Sequence, residues 1–118
     1  MKEREVIRVV NDQRGCPTYA ADLANAIAIM VQEWEKGNTH SGIYHFSNSG
    51  DITWYDFALA IRDMAELTCQ VEPIPSADFP TPARRPGYSV MDTNSLTKDF
   101  GIQLRGWKEA LQDCLRKL

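Results

Sequence analysis

Val6-Ile7-Arg8-Val9-Val10, followed by Asn11-Asp12-Gln13-Arg14-Gly15-Cys16-Pro17-Thr18 and then by an apolar-periodic stretch from Asp22, decides the fold class. Four of the first five residues are β-branched, which favours a strand. The next eight are polar and punctuated by Gly15 and Pro17, so they form a loop. Leu23, Ala26, Ile27, Met30, Val31 and Trp34 then recur at helical spacing, with Asp22 in the first turn and Gly37-Asn38 past the end. The apolar stripe that ends at Trp34 reads as core. Thr18 reads as the helix N-cap.

The same alternation continues outward. Ile43-Tyr44-His45-Phe46 reads as a second strand. Thr53-Trp54-Tyr55-Asp56 has the form of a capping box, with Phe57, Ala58, Ile61, Met64 and Ala65 as the buried stripe of the helix it starts. Val71 to Ile74 is a third extended segment, and Tyr88 to Met91 is a fourth. A short helix over Thr93 to Phe100 ends at Gly101, and an amphipathic helix runs from Trp107 to Leu118. Strands alternating with helices long enough for crossovers argue an α/β fold with three to four short strands and about four helices.

The chain has 118 residues, enough for one small domain. A formal net charge of −3 gives no general attraction to nucleic acid or to an anionic membrane. No apolar run has the length of a membrane span, and no signal-peptide pattern opens the chain. Cys16, Cys69 and Cys114 are widely spaced and odd in number, which fits a reducing cytoplasm and small core residues rather than a disulfide framework. Cys16 lies near Arg14 but has no histidine close in sequence, so it reads as a packing residue. His40 reads as solvated and His45 as structural. Neither stands near a ligand set, so no metal site is assigned.

Residues 73–87, Pro-Ile-Pro-Ser-Ala-Asp-Phe-Pro-Thr-Pro-Ala-Arg-Arg-Pro-Gly, hold all but one of the six prolines. Proline fixes φ, so the loop is stiff, and it presents Arg84 and Arg85 side by side. Guanidinium matches phosphate in a bidentate way, and a rigid loop loses little entropy on binding an anion. Diphosphate recognition and a solvated arginine pair both fit these residues. Gln13, in the loop between strand and helix, offers an amide suited to a base or a sugar hydroxyl, at a place where α/β folds bind ligands. Trp54 and Tyr55, at a helix start, can stack on a base or pack under a loop, and packing is the default reading. No glycine-rich phosphate fingerprint follows a strand, and no tyrosine is followed four residues on by lysine. No catalytic and no cofactor-binding residue is therefore assigned.

One ordered series of motifs carries further meaning: Asp12-Gln13-x-Gly15-x-Pro17-Thr18, Asp22-Leu23-Ala24, Gly42-Ile43-Tyr44-His45-Phe46, Trp54-Tyr55-x-Phe57-Ala58, Pro80-Thr81-Pro82-Ala83-x-Arg85-Pro86 and Tyr88-Ser89. It resembles the C-terminal part of the dTDP-4-dehydrorhamnose reductases, members of the extended short-chain dehydrogenase/reductase family, over essentially the whole chain. The resemblance implies a C-terminal sugar-nucleotide-binding domain over residues 1–118. It also implies an N-terminal Rossmann domain, absent from this chain, that binds NADPH and carries the catalytic tyrosine. The implied reaction reduces dTDP-4-dehydro-L-rhamnose to dTDP-L-rhamnose, a precursor of bacterial surface polysaccharide, in the cytoplasm.

On the same resemblance, Arg85 holds the diphosphate of a dTDP-sugar, and Gln13 and Tyr88 are further substrate contacts. A magnesium ion at a dimer contact occurs in the family, with no ligand that can be placed here. The chain alone is then expected to be inactive and, lacking its partner half, to self-associate. Three other readings stay open at this point: a non-catalytic regulatory relative of the same fold, another nucleotide-sugar reductase or epimerase, and a free-standing α/β binding module. The residues upstream of this chain would decide among them.

Overall fold

The structure, a computed structural model, describes residues 1–118. The opening β-branched run forms β1 (Val6–Val10), and it pairs in parallel with β4 (Gln70–Ile74), Val6 opposite Gln70 and Val10 opposite Ile74. A parallel pair needs a long crossover. Here the crossover holds a second, two-residue antiparallel ladder, β2 (Arg14–Gly15) with β3 (Ile52–Thr53), and two helices, α1 (Ala20–Glu35) and α2 (Trp54–Met64). After β4 come a single 3-10 turn at Ser76–Asp78, then α3 (Asn94–Phe100) and α4 (Trp107–Arg116). The α/β architecture with four helices and few strands is as expected.

Local chemistry explains the elements that form where the residues predict. Thr53 caps α2: its hydroxyl accepts from the Asp56 amide at 3.1 Å, and the Asp56 carboxylate accepts from the Thr53 amide at 2.9 Å. The Thr53 amide and hydroxyl together hold the Asp56 carboxyl below the usual carboxylate range. α3 ends on Gly101 at φ +67°, the left-handed conformation that glycine adopts without a Cβ penalty.

Three expectations are corrected. The first is the strand at Ile43–Phe46, which joins no ladder; only Ser49, beyond it, makes an isolated bridge, to Gly106. No strand lies beside it, and its side chains anchor it instead. The Tyr44 hydroxyl donates to Asp99 at 2.6 Å, and the Tyr44 ring meets Phe100 edge-on at 5.2 Å. Tyr88–Met91 is likewise no strand, with a single bridge from Tyr88 to Arg14.

The second correction is the N-cap of α1, which is Tyr19 rather than Thr18. No side chain of the cap residue is used. The Tyr19 amide donates instead to the Asn48 side chain at 2.7 Å, so a distant residue does the capping.

The third concerns the stripe of α1. Ala26 is buried in a cluster with Leu96, Phe100 and Ile102, against which Ile29, Met30, Tyr44 and Phe46 pack. Leu23, Ile27 and Val31 are substantially exposed, and Trp34 is 64% exposed. The helix is apolar on more than one face, and the chain supplies cover for one. The whole molecule shows the same openness. Its radius of gyration is 17.0 Å, against about 13.5 Å for a compact chain of this length.

An uncovered stripe of Leu23, Ile27, Val31 and Trp34 is a self-association surface in water. We expect the isolated chain to elute as a dimer or larger species in size exclusion with light scattering, and an Ile27→Lys, Trp34→Lys double variant to elute as a monomer. A wild-type monomer at about 100 μM, well above the μM affinities of ordinary specific contacts, would refute the expectation.

Candidate functional site

The loop that leaves β1 is stitched to the arginine loop. The Arg14 amide donates to the Gly87 carbonyl at 2.8 Å, and the Ser89 amide returns a bond to the Arg14 carbonyl at 2.8 Å. The Ser89 hydroxyl adds a third bond to that carbonyl at 3.1 Å. Gly15 fits under Ser89, since a Cβ there would come within 3.0 Å of the Ser89 hydroxyl. Residues more than seventy apart in sequence are thereby held in one rim.

Gln13 and Arg85, which flank these stitches in sequence, border a cavity of about 500 Å³, within the range of small-ligand sites. β1 contributes Arg8, Val9 and Val10, and α2 contributes Trp54, Phe57, Ala58 and Ile61. Gln13 enters from the β1 loop, and Phe79, Thr81 and Arg85 enter from the proline-rich loop. The floor is apolar and the rim is cationic. Arg85 is exposed and has no carboxylate partner within the chain, while Arg8 faces Glu72 at 3.5 Å. Arg14 is committed elsewhere: it bonds the Asp51 carboxylate at 2.9 Å and the Asp51 carbonyl at 3.0 Å.

Gln13 and Arg85, singled out from sequence, thus share one cavity. Tyr88 does not join them: the residue is 63% exposed and stands outside the lining, and its backbone serves the bridge to Arg14. Three lining residues escaped the sequence reading. Arg8 was hidden in a β-branched run. Trp54, read as packing, is 52% exposed at the cavity. Phe79 had no pattern to mark it.

Asp12 and Ser76 position Gln13. The Ser76 amide donates to Asp12 at 2.9 Å, the Ser76 hydroxyl makes a short bond to the other carboxylate oxygen, and the Gln13 amide donates to the Ser76 hydroxyl at 3.0 Å. The Ser76 hydroxyl, then its amide, hold the Asp12 carboxyl below its ordinary value. A depressed carboxyl contributes stability that is complete above the unfolded value, about 4, and is lost as pH falls through the lower folded value. The Ser76 amide resonance should therefore titrate with a midpoint below about 4, and the step should vanish in Asp12→Asn. A midpoint at or above the ordinary value would break the link.

Burial pushes the Cys16 thiol up, and its Sγ faces the Asn48 carbonyl. His45 is exposed, and His40 sits edge-on to Phe100 at 6.1 Å with Asp99 4.0 Å away.

The residues present do not fit a nicotinamide dinucleotide. The loop after β1 carries one glycine, Gly15, and it is tied into a ladder with Ile52 instead of opening a phosphate cradle at a helix N-terminus. No group of three His, Cys, Asp or Glu side chains converges within the chain.

Fold and cavity together define a small α/β ligand-binding unit with an apolar floor and a cationic rim. A family model described as the RmlD substrate binding domain matches residues 1–118, and the chain belongs to that family. It is 37% identical to a dTDP-4-dehydrorhamnose reductase of Burkholderia thailandensis, over 99% of this chain and 43% of the relative. It is 39% identical to the same enzyme of Aggregatibacter actinomycetemcomitans, over 95% of this chain and 40% of the relative. The crystal structure of a dTDP-4-dehydrorhamnose reductase from Bacillus anthracis, in complex with NADP, superposes with a TM-score of 0.87 at 36% identity, covering 98% of this chain and 39% of that one. The chain spans about two fifths of the length of the curated relatives it matches. No helix is long and apolar enough to cross a membrane.

Proposed function

We propose that this chain is the sugar-nucleotide-binding part of an NADPH-dependent dTDP-4-dehydrorhamnose reductase acting in the cytoplasm in dTDP-L-rhamnose synthesis. The observation that carries the reading is the shared cavity: Arg85 and Gln13, 72 residues apart in sequence, border one space, and their loops are joined next to it by the Arg14–Gly87 and Ser89–Arg14 bonds. In this reading the Arg85 guanidinium takes the diphosphate in bidentate fashion. The free carbonyl of Gln13 serves a hydroxyl or ring N–H of the ligand, while its amide stays with Ser76.

Reduction of a ketone needs a hydride source and a proton donor. Neither fits the residues of this chain, so both are assigned to an N-terminal Rossmann domain of a longer polypeptide. That domain is also the proposed cover for the apolar face of α1. Calorimetric titration with dTDP tests the binding reading: saturable one-site binding is expected, and its absence up to about 10 mM, weaker than any affinity worth more than about 3 kcal/mol, would remove it.

A further inference from the structure

We propose that Trp54 and Phe79 form the stacking platform on which the nucleobase of the bound nucleotide lies, in the same cavity where Arg85 holds the diphosphate. The proposal rests on the reading of the cavity as a nucleotide-sugar site and assigns the part of the ligand that reading leaves open.

Both rings border the same cavity as Arg8 and Arg85, and both are about half exposed, Trp54 at 52% and Phe79 at 55%. Large aromatic surface left in water beside guanidinium groups is complementary to one kind of molecule: a flat π-system joined to a polyanion.

The rings also stand on rigid supports. Trp54 is the first residue of α2, directly after the Thr53–Asp56 capping box. Its ring meets Phe57 edge-on at 6.3 Å, and Phe57 in turn meets Trp107 at 6.2 Å, so its orientation is set by two further aromatics. Phe79 closes the 3-10 turn, its amide donating to the Ser76 carbonyl at 3.1 Å. Ser76 is held by Asp12. A platform already ordered loses little entropy when a base settles on it.

The alternatives are weaker. Stacking by Tyr88 is ruled out by its place outside the lining. A sugar would use the polar groups of the rim, and the floor of Val9, Val10, Phe57, Ala58 and Ile61 offers it none.

The test uses the full chain and three probes: dTDP, thymidine and inorganic pyrophosphate. The three tryptophans give three indole N–H resonances, with Trp34 and Trp107 as internal references. The Trp54 resonance should move with dTDP and with thymidine and stay still with pyrophosphate, which should move only the amides of residues 84–88. Trp54→Leu should raise the dissociation constant for dTDP about tenfold and leave that for pyrophosphate within about twofold. Phe79→Leu, in an exposed loop, should do the same and guards against a folding defect at Trp54. If dTDP binds and shifts residues 84–88 while the Trp54 indole is silent and both variants bind normally, the platform is wrong and the diphosphate site stands. If neither dTDP nor pyrophosphate binds, the cavity reading fails and the platform fails with it.

Discussion

Asn48→Ala should lower the stability of the chain by about 3 kcal/mol, or roughly 12 °C in melting temperature. Asn48 is 1% exposed and sits where four segments meet. Its side-chain carbonyl accepts from the Tyr19 amide at 2.7 Å, and its side-chain amide donates to the Asp22 carboxylate at 2.7 Å and to the Arg105 carbonyl at 3.3 Å. Its backbone carbonyl accepts from Cys16. Alanine leaves the Tyr19 amide at the start of α1 buried without an acceptor and removes one partner of Asp22. Unsatisfied buried groups cost about 1–3 kcal/mol each.

The surroundings do not compensate. Asp22 is kept in place by Arg105 through two bonds, of 2.7 and 3.1 Å, and Arg105 also reaches Asp113 at 3.2 Å; the guanidinium is a donor only and cannot serve the orphaned Tyr19 N–H. Asn48→Asp is the sharper variant. It keeps the acceptor for Tyr19 but sets a like charge against Asp22, and it should be as damaging at neutral pH and partly relieved by acid. Melting curves by circular dichroism decide the matter, and a shift under about 3 °C for both variants would show that the clamp is dispensable.

Legibility from sequence followed the range of the forces involved. The capping box of α2, the Gly101 terminus of α3 and the position of α4 depend on neighbours within a few residues, and all were readable; β1 and β4 were readable from their composition, although the ladder that makes them strands joins residues 64 apart. Ile43–Phe46 has strand composition, but a strand exists only when another backbone lies beside it, and this chain offers none. Trp34 continues the helical period of α1 correctly, yet period says only that a face is apolar, not that anything covers it.

The site divides in the same way. Arg85 and Gln13 stood out because their loops have unusual chemistry. Arg8, Trp54 and Phe79 are ordinary residues in ordinary elements until the fold gathers them around one cavity. Asn48 lies in a loop of small polar residues, and nothing local distinguishes a buried clamp from a turn residue.

Arg85→Ala should weaken dTDP binding by about 1.5–3 kcal/mol, roughly 10- to 150-fold, while leaving the fold intact. The two halves of that statement come from the same observation. Arg85 is exposed and makes no ion pair or hydrogen bond within the chain, so its removal strands nothing and should change stability by less than about 0.5 kcal/mol. A guanidinium left without a carboxylate at the rim of a cavity is available to an anion. The prolines at 80, 82 and 86 keep it there without the entropy cost of ordering a flexible loop.

Arg85→Lys separates charge from shape. A lysine restores the positive charge but not the two-pronged fork, so its affinity should fall between wild type and alanine. Arg84→Ala is the control, because Arg84 does not border the cavity and should matter only through long-range attraction that salt screens. Calorimetry at low and at physiological salt distinguishes these contributions. If Arg84→Ala and Arg85→Ala weaken binding equally, and both effects vanish with salt, then the arginine pair acts as a diffuse cationic patch and the specific diphosphate contact is lost from the proposal. If Arg85→Ala alone is damaging and its effect persists in salt, the bidentate contact accounts for it, because a partly desolvated pair is screened far less than an exposed one.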